Sequence, residues 1–379
     1  MFSSRIKNLH PYIPGEQPTD REYIKLNANE NPFLPHPKVL EAICQATKNP
    51  ALLSRYPDPD ANELRSAIAN FLNKTGGVLC TTQNENGKIF PQNDLGFTIT
   101  PEMIFCGNGS DEVLSFVFYT FFDSSVPLVL PEFTYSFYPV YCGYYGISQN
   151  KIPLKNDWTL DTEKIVAEAK KTKSPIVFAN PNAPTGKALS NLQIKAILEQ
   201  LDKNQVLVVD EAYADFADES CICLLKDFEN LIVVRTFSKS LSFAGMRLGF
   251  VVANPKLIDS LFTAKNSFNH FPVDSITQKA GIASTEQIDY YAQNAKLIVQ
   301  ERERLFDFLT QNSWSPIKSK TNFVFTKKDG RGGREIYEAV KKEGILIRHF
   351  NTSGIEDFVR ISIGTKNQQD QLLRILKQL

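Results

Sequence analysis

Five short apolar segments separated by helical stretches constrain the fold of this chain more than any other feature of its sequence. They lie at residues 126–130, 176–179, 206–209, 231–234 and 248–253. Apolar and polar residues do not alternate within these segments, so both faces of each predicted strand must be covered. This pattern is typical of an α/β fold, in which helices flank a mostly parallel central sheet.

The length of the chain predicts more than one structural unit. A chain of 379 residues exceeds what one ordinary hydrophobic core supports. We expect an N-terminal arm over residues 1–45 that packs with the small domain, a large domain over residues 46–270 and a small C-terminal α+β domain over residues 271–379. In the small domain, a helix over residues 288–310 precedes strand candidates at 322–326, 344–348 and 358–363.

Further predictions concern the first third of the chain. Residues 60–63 have the pattern of a capped helix start, and an apolar helical face follows, formed by Leu64, Ile68, Phe71 and Leu72. The largely apolar segment 113–122 is too short to cross a bilayer and predicts a buried helix. Residues 74–100 are rich in Gly, Asn and Gln, which indicates a surface insertion.

Charge and cysteine content exclude several classes of function. The 42 Lys and Arg residues balance the 42 Asp and Glu residues, so no basic excess indicates binding to nucleic acid or to an anionic membrane. The N-terminal segment lacks the apolar region of a secretory signal, which predicts a cytoplasmic protein. The 6 cysteines are dispersed and predict reduced thiols rather than disulfides or a zinc site, so we expect no metal.

Polar clusters follow three of the predicted strands. They lie at residues 180–182, 210–211 and 236–239, with the sequences NPN, DE and TFSK. Ligands of open α/β sheets bind beyond the carboxyl ends of the strands. We therefore expect these three clusters to contribute to a single site.

Lys239 follows a predicted strand, has hydroxyl groups nearby at Thr236 and Ser238, and precedes Arg247 by eight residues. This arrangement suits a phosphorylated aldehyde. The lysine amine forms an imine with the aldehyde, while the hydroxyl groups and the arginine bind the phosphate. Taken alone, the motif is equally compatible with a surface Ser-Lys pair followed by a structural glycine turn.

Asp210, at the end of another predicted strand, can pair with a pyridine nitrogen and keep it protonated, so that the ring accepts electrons. Tyr213 lies three residues further on and could reach a hydroxyl group of the ring. An Asp in such a position can instead hold magnesium in a phosphotransferase. That function requires a phosphate-binding loop, and the nearest candidate, residues 180–188, lacks both its first glycine and its final hydroxyl residue.

A glycine-rich turn and an aromatic segment complete the candidates. Ser110, in the segment 107–111, is a natural N-cap, and the free amides of the following helical turn can bind an anion. Helix capping alone also explains this motif. The rings of segment 133–138, including Tyr135, could stack on a planar cofactor or pack in the core.

The ordered set of motifs resembles a known family over nearly the whole chain. The segments GNGSDE, FTYSFY, NPNAPTG, VVDEAY, TFSKS, GMRLGF and RISIGT match the class I/II aminotransferases of fold type I. The N-terminal segments PYIPGE, KLNANENP and SRYP look like those of the histidinol-phosphate aminotransferase family.

The resemblance implies pyridoxal 5'-phosphate as the cofactor and assigns its contacts. Lys239 would carry the cofactor as an imine and move the proton, Asp210 would pair with the ring nitrogen, Tyr213 with the ring oxygen, and Tyr135 would stack on the ring. The phosphate would be held by the backbone of Gly109 and Ser110 and by the side chains of Ser238 and Arg247. Tyr56 matches a tyrosine that reaches the phosphate of the neighbouring subunit, which implies a homodimer.

The resemblance also implies the substrates, which would be L-histidinol phosphate and 2-oxoglutarate in histidine biosynthesis. Their products would be imidazole-acetol phosphate and L-glutamate. Arg360 and Arg348 match the arginines of the substrate pocket, over which Tyr12 would close. Because its planar fork pairs with either anion, arginine suits both a carboxylate and a phosphate.

The sequence departs from the family pattern at one position. Where the family places an asparagine that touches the ring hydroxyl, this chain has Ala183, with Asn182 one position earlier. Either Asn182 substitutes for it or Tyr213 works alone. Three other functions remain open: an aromatic amino acid aminotransferase, a threonine-phosphate decarboxylase and a non-catalytic, pyridoxal-phosphate-binding regulatory module. The last of these would need a DNA-binding segment, for which residues 1–37 are too short.

Overall fold

Helices and strands alternate along the computed structural model, which describes residues 2–3, 6–7, 9–85, 88–90 and 94–379, without the side chains of 84, 85 and 88–90. The strands are β1 (Ile24–Lys25), β2 (Gln83–Glu85), β3 (Lys88–Phe90), β4 (Ile104–Gly107), β5 (Leu128–Pro131), β6 (Gln149–Ile152), β7 (Ile176–Ala179), β8 (Leu207–Asp210), β9 (Leu231–Thr236), β10 (Gly249–Ala253), β11 (Trp314–Ile317), β12 (Phe323–Lys328), β13 (Ile345–Leu346), β14 (Arg348–His349) and β15 (Val359–Ser362). The α-helices are α1 (Pro37–Thr47), α2 (Pro50–Ser54), α3 (Asn62–Thr75), α4 (Gly109–Phe121), α5 (Tyr138–Tyr145), α6 (Thr162–Thr172), α7 (Asn191–Leu198), α8 (Pro255–Phe268), α9 (Ser275–Thr285), α10 (Ile288–Gln311), α11 (Gly333–Lys342) and α12 (Lys366–Leu376).

A seven-stranded sheet with the strand order β4-β10-β9-β8-β7-β5-β6 forms the centre of the molecule. The four neighbouring pairs from β9 to β6 are parallel. Strand β10 runs antiparallel to both of its neighbours, β4 and β9. The predicted α/β fold with a mostly parallel sheet is therefore confirmed, and β10 is its one reversed strand.

Side chains from the two faces of this sheet pack into two different cores. In β8, Leu207 and Val209 belong to the larger hydrophobic cluster, whereas Val208, which points to the opposite face, belongs to the second cluster. All three side chains are fully buried. Burying one such side chain contributes about 1.5–3 kcal/mol to the free energy of folding. A strand that is covered on both faces therefore has apolar residues at every position.

Two helices are capped differently from what was predicted. Helix α3 begins at Asn62, within the predicted start at residues 60–63, but its first turn is held by the Asp58 carboxylate, which accepts a hydrogen bond from the backbone N–H of Asn62 at 2.8 Å. The predicted apolar face of α3 is buried. Helix α4 has Asn108 as its N-cap, which places Ser110 inside the first turn rather than at the cap.

The predicted surface insertion at residues 74–100 is in part a buried segment. Val78, Leu79, Leu95 and Ile99 are almost fully buried in it. The backbone N–H of Leu79 donates to the Asp215 carboxylate at 3.2 Å, which holds this segment against the core. Strands β2 and β3 pair antiparallel, and residues 86, 87 and 91–93 lie outside the described residues.

A second sheet, antiparallel and of four strands, has the order β11-β12-β15-β14. The predicted strand at 344–348 is divided into β13 and β14, on either side of the buried Ile347. Strand β1 of the N-terminal segment pairs in parallel with β13. All 6 cysteines are free thiols, as predicted. Within the described part of the chain, no helix is both long and apolar enough to span a membrane.

Candidate active site

One edge of the seven-stranded sheet brings together residues from distant parts of the chain. Asp210 ends β8, and Lys239 follows the end of β9. Because β10 is reversed, its first residue, Gly249, pairs with both Gly107 of β4 and Thr236 of β9 at this same edge. Arg247, which precedes β10, therefore lies beside the residues that follow the carboxyl ends of the other strands.

A cavity of about 400 Å³ opens at this edge. Its volume lies in the range of small-molecule sites. Six of the residues predicted from the sequence line it: Tyr12, Tyr135, Tyr213, Lys239, Arg348 and Arg360. These six residues combine an amine, three aromatic rings and two guanidinium groups, which is a suitable set for a planar, anionic cofactor and an anionic substrate.

The amine of Lys239 faces the cavity, and its main chain is held in place. Its Nζ donates to the carbonyl oxygen of Ala28 at 3.3 Å and lies 5.7 Å from the ring centroid of Tyr213. The side-chain amide of Asn31 donates to the carbonyl oxygen of Lys239 at 2.8 Å. These contacts fix the turn that carries the lysine, which pre-organises the amine for reaction with a carbonyl group.

A buried ion-pair network contacts this turn through the residue after Lys239. Arg235 of β9 pairs with Glu211 at 3.1 Å and with Asp215 at 2.9 Å. The hydroxyl of Ser240, the residue after Lys239, donates to the other oxygen of the Asp215 carboxylate. Since all these groups are buried and paired, the network fixes the position of the turn relative to the sheet.

The carboxylate of Asp210 is buried at the end of β8 and is absent from the described cavity lining. The hydroxyl of Tyr138 donates to its Oδ2 at 2.9 Å, and the backbone N–H of Ala212 donates to its Oδ1 at 3.1 Å. Burial raises the pKa of Asp210 to about 6, although both hydrogen bonds lower it. A positive charge brought next to this carboxylate would favour its ionised form, as the protonated nitrogen of a pyridine ring would.

Tyr213 is nearly buried, and its hydroxyl accepts a hydrogen bond from the side-chain amide of Asn29 at 2.9 Å. Ala183, whose methyl group cannot donate, lies on the cavity wall. Asn182 is fully buried, and its amide donates to the carbonyl oxygen of Phe133 at 2.9 Å. Asn182 is absent from the described cavity lining, and its Oδ1 is buried without a hydrogen-bond partner among the described residues.

The first turn of α4 and Arg247 form a cradle for an anion. The Arg247 guanidinium lies 3.5 Å from the Ser238 hydroxyl and donates to the Asp111 carboxylate at 2.9 Å. A Cβ atom added to Gly109, whose φ is +79°, would lie 2.6 Å from Nη2 of Arg247. One added to Gly249 would lie 2.6 Å from the backbone of Gly109. The two glycines thus leave the helix amides open, as phosphate binding requires.

Asp111 links this cradle to the aromatic wall of the cavity. The hydroxyl of Tyr135 donates to its Oδ1 at 2.9 Å, and that of Tyr141 to its carbonyl oxygen at 2.7 Å. Burial raises the pKa of Tyr135 well above its ordinary value, so the phenol stays protonated. Sequence reasoning missed the role of Asp111, although the residue lies in the GNGSDE motif, because a carboxylate is not expected near a phosphate.

Arg348 and Arg360 lie directly opposite each other on β14 and β15. Burial lowers the pKa of Arg360, and the charge of Arg348 lowers it further. The Nε atom of Arg360 is buried without a hydrogen-bond partner in the described residues. Like charges directly opposite in a sheet are unfavourable. A bound anion would relieve this repulsion and satisfy the unpaired donor.

The two outer tyrosines predicted from the sequence have different surroundings. Tyr12 lines the cavity, with its ring centroid 5.3 Å from that of Phe137. Tyr56 is 82% exposed, stacks on Phe271 at 4.5 Å, and is absent from the described cavity lining. Tyr12 can therefore act within its own chain, whereas Tyr56 has no contact with the cavity of its own chain.

Three asparagines that sequence reasoning did not assign contact the site from the N-terminal segment. The carbonyl oxygen of Asn27 accepts a hydrogen bond from Arg360 at 3.3 Å, while Asn29 and Asn31 hold Tyr213 and Lys239 as described. They alternate along the sequence KLNANENP. The segment is not extended, because Asn29 has a φ of +54°, and Asn27 makes its contact through its backbone. The spacing of the asparagines was therefore no signal for these contacts.

The mostly parallel sheet, the lysine after one strand, the buried aspartate at the end of the next and the anion cradle define a fold-type-I aminotransferase. The family model described as "Aminotransferase class I and II" matches residues 21–376. The chain belongs to this family and, within it, to the histidinol-phosphate aminotransferases.

The relatives of the chain agree along its whole length. It is 43% identical over 380 aligned residues to histidinol-phosphate aminotransferase from Syntrophus aciditrophicus, covering 100% of this chain and 98% of that protein. It is 41% identical over 373 residues to histidinol-phosphate aminotransferase 1 from Oceanobacillus iheyensis, covering 98% and 96%. The crystal structure of the Sinorhizobium meliloti histidinol-phosphate aminotransferase in complex with pyridoxal-5'-phosphate superposes with a TM-score of 0.84 and 26% identity, covering 100% and 96%.

Proposed function

We propose that this chain is a pyridoxal-phosphate-dependent transaminase of histidine biosynthesis. It transfers the amino group of L-histidinol phosphate to 2-oxoglutarate, which gives imidazole-acetol phosphate and L-glutamate. Its relatives along the whole chain bear the name of this activity. The cavity lining supports the same function, because it combines the amine of Lys239 with a pair of arginines.

The observation that carries this proposal is the pair of opposed arginines, Arg348 and Arg360, in the same cavity as Lys239. A transaminase must accept two unlike substrates in one pocket. Glutamate presents a carboxylate next to its amine, whereas histidinol phosphate lacks that carboxylate and presents a phosphate. The guanidinium fork pairs with either group, so the same two residues can bind both substrates.

The remaining residues have roles that follow from their surroundings. When bound, pyridoxal phosphate supplies an aldehyde that condenses with amines and a ring that withdraws electrons. Lys239 would hold the cofactor and move a proton at its Nζ. The Asp210 carboxylate would keep the ring nitrogen protonated, and the Tyr213 hydroxyl would donate to the ring oxygen. Tyr12, at the cavity wall, would exclude water from the bound substrate.

Borohydride reduction of the cofactor-loaded protein, followed by peptide mapping, tests the cofactor assignment. The reduced cofactor should be attached to Lys239. The other two lysines that line the described cavity, Lys25 and Lys151, are internal controls. A label on either of these in place of Lys239, or the absence of a label, would contradict the assignment. Lys239→Ala should abolish both labelling and amino transfer, while Lys151→Ala should leave labelling unchanged.

Competition assays test the substrate assignment. Histidinol phosphate should be a better amino donor than phenylalanine or tyrosine, and Arg360→Lys should raise its KM about tenfold because the ammonium cannot form the bidentate pair. A preference for the aromatic amino acids would identify an aromatic aminotransferase. Release of carbon dioxide from threonine phosphate, without a keto product, would identify a decarboxylase.

We also propose that the active unit is a homodimer in which Tyr56 reaches the phosphate in the neighbouring site. Its exposed ring, outside the cavity of its own chain, supports this. Mixing Tyr56→Ala and Lys239→Ala proteins tests it. In a mixed dimer, one site would contain both defects and the other neither, so activity should reappear on mixing. If no activity reappears although mixed dimers form, Tyr56 does not act in the neighbouring site.

Finally, we propose the division into an arm over residues 1–45, a large domain over 46–270 and a small domain over 271–379, in a cytoplasmic enzyme. The seven-stranded sheet lies wholly within the second range and the four-stranded sheet wholly within the third. The pairing of β1 with β13 supports packing of the arm with the small domain. Limited proteolysis should cleave first near these boundaries, and fractionation of cells should find the protein in the cytoplasm.

A further inference from the structure

Tyr213 stands beside a cavity wall that lacks a second side-chain donor at Ala183. We propose that Asn29 is a positioning residue, which directs the hydroxyl hydrogen of Tyr213 toward the ring oxygen of the cofactor. The inference rests on the proposed function, since it concerns the same cofactor. It assigns a role in the chemistry to the N-terminal segment, more than 180 residues away from Tyr213 in the sequence.

The hydrogen bonds around Asn29 determine how its amide is oriented. The backbone N–H of Asn29 donates to Oγ of Ser362 at 2.9 Å. The Ser362 hydroxyl, in turn, donates its hydrogen to Oδ1 of Asn29, also at 2.9 Å. Because Oδ1 is occupied as an acceptor, Nδ2 must face Tyr213. The amide of Asn29 therefore donates to the phenol oxygen and does not accept from it.

This orientation leaves the hydrogen of the Tyr213 hydroxyl available on the cavity side. The donors form a chain from Ser362 through Asn29 to Tyr213, in which each group donates to the next. Such chains polarise their members and strengthen the last donor. The last donor, the Tyr213 hydroxyl, faces the cavity, where the ring oxygen of the cofactor would accept its hydrogen bond. That oxygen would then hold less tightly the proton that it shares with Nζ of Lys239.

Asn29 is fixed in its own position by both its backbone and its burial. It is 1% exposed, and its carbonyl oxygen accepts a hydrogen bond from the Asn322 amide at 3.0 Å. Its φ is +54°, a conformation that asparagine, aspartate and glycine tolerate better than other residues. Two substitutions therefore keep the backbone unstrained: Asn29→Gly removes the amide, and Asn29→Asp replaces the donor by an acceptor of the same size.

The experiment measures the absorbance of the pyridoxal-phosphate-loaded protein as a function of pH. If the ring oxygen loses the hydrogen bond from Tyr213, the pH at which half of the absorbance change has occurred should rise. For Asn29→Asp, whose carboxylate takes the Tyr213 hydrogen away from the cavity, we expect a rise of about one pH unit, close to that of Tyr213→Phe. For Asn29→Gly, which leaves the hydroxyl unrestrained, we expect a smaller rise.

Double variants separate this role from a structural one. In a Tyr213→Phe background, Asn29→Gly should cause no further shift, because the group through which it acts is absent. A shift that persists in that background, or midpoints of both Asn29 variants equal to that of the unchanged protein, would overturn the inference. Ser362→Ala provides a second variant at the other end of the chain of donors, with a rise expected in the same direction.

The outcome also separates this inference from the proposed function. If the unchanged protein took up no pyridoxal phosphate, no absorbance change would exist to be titrated, and the proposed function would fail. If the cofactor bound and titrated while the Asn29 variants matched the unchanged protein, only the positioning role would fail.

Discussion

Replacing Asp210 by asparagine is expected to stabilise the cofactor-free protein, although it should impair the loaded enzyme. The Asp210 carboxylate is 4% exposed, and burial raises its pKa from 3.8 to about 6. A difference of about two pKa units corresponds to about 3 kcal/mol of free energy of unfolding. Asparagine has no charge to bury. Its Oδ1 can accept from the Ala212 N–H as the carboxylate does. Its amide can donate to the Tyr138 oxygen, but this reverses the present bond and leaves the buried Tyr138 hydroxyl without its acceptor, which offsets part of the gain.

The pH dependence of this effect has a definite sign. Because the folded-state pKa is raised, the stability contributed by Asp210 is fully present below about pH 3.8 and is lost as the pH rises through about 6. Between pH 4.5 and pH 7 the loss amounts to about 2 kcal/mol. The asparagine variant lacks this dependence. The cofactor reverses the preference, since a protonated ring nitrogen favours the ionised carboxylate that asparagine cannot supply.

Denaturant unfolding of the two cofactor-free proteins at pH 4.5 and pH 7 measures this effect, because the difference between them cancels groups that titrate equally in both. Asp58→Asn is the matched control: because both pH values lie above 3.8, its gap to the wild type should be nearly the same at pH 4.5 and pH 7. Burial raises the pKa of Asp58, but hydrogen bonds from the backbone N–H groups of Asn62 and Asp60 lower it, and the net change is a lowered pKa. The contribution of Asp58 is therefore present above about pH 3.8 and lost as the pH falls. The reasoning is refuted if the gap between wild type and Asp210→Asn is the same at both pH values.

Three further substitutions test the site and its support. Arg247→Ala should weaken cofactor binding by about 2–3 kcal/mol, since a charged hydrogen-bonding partner is lost, and equilibrium dialysis should detect this. Gly109→Ala should also weaken cofactor binding, because its Cβ would lie 2.6 Å from Nη2 of Arg247; unchanged affinity would show that the cradle is not the phosphate site. Arg235→Met should cost about 3–5 kcal/mol in denaturant unfolding, because it leaves two buried carboxylates without their positively charged partner, and a loss below about 1 kcal/mol would contradict that.

Much of the central sheet could be predicted because its strands are buried on both faces. The predicted segment 176–179 coincides with β7, and those at 206–209 and 231–234 differ from β8 and β9 only at their ends. Strand β6 was not predicted, because its sequence QNKI is mostly polar and lies at an edge of the sheet. Strand β4 was missed because its three apolar residues before a glycine turn resemble the start of the following helix.

The direction of β10 could not be derived from its sequence. An apolar run has the same pattern in either direction, and only its pairing with β4 and β9 decides between them. The cap of α3 differs from the prediction for a related reason. Both Asp58 and Asp60 precede the helix within a few residues, so the sequence offers two capping carboxylates. Ala61 has a left-handed conformation, and in the turn before the helix it is Asp58 that accepts the hydrogen bond from the Asn62 N–H.

The candidate site was predictable where a motif fixes a residue to the end of a strand, as for Asp210 and Lys239. It was not predictable where the contact spans the whole chain. Asn29 meets Tyr213 and Ser362, 184 and 333 residues away. No local pattern indicates such partners, since the sequence shows the alternation of the asparagines but not the surface to which they turn.

The pairing of the N-terminal segment with the last part of the chain also determines the order in which the enzyme can be completed during its synthesis. The backbone of Leu26 donates to Leu346 and accepts from Ser362, so this strand-like segment gains its partners only when nearly all of the polypeptide has left the ribosome. Until then the side chain of Leu26, which is 2% exposed in the folded chain, remains in contact with water. Nascent chains stalled before residue 340 should therefore leave the first forty residues open to protease while the central sheet already resists it, and chaperones that recognise apolar segments should bind there.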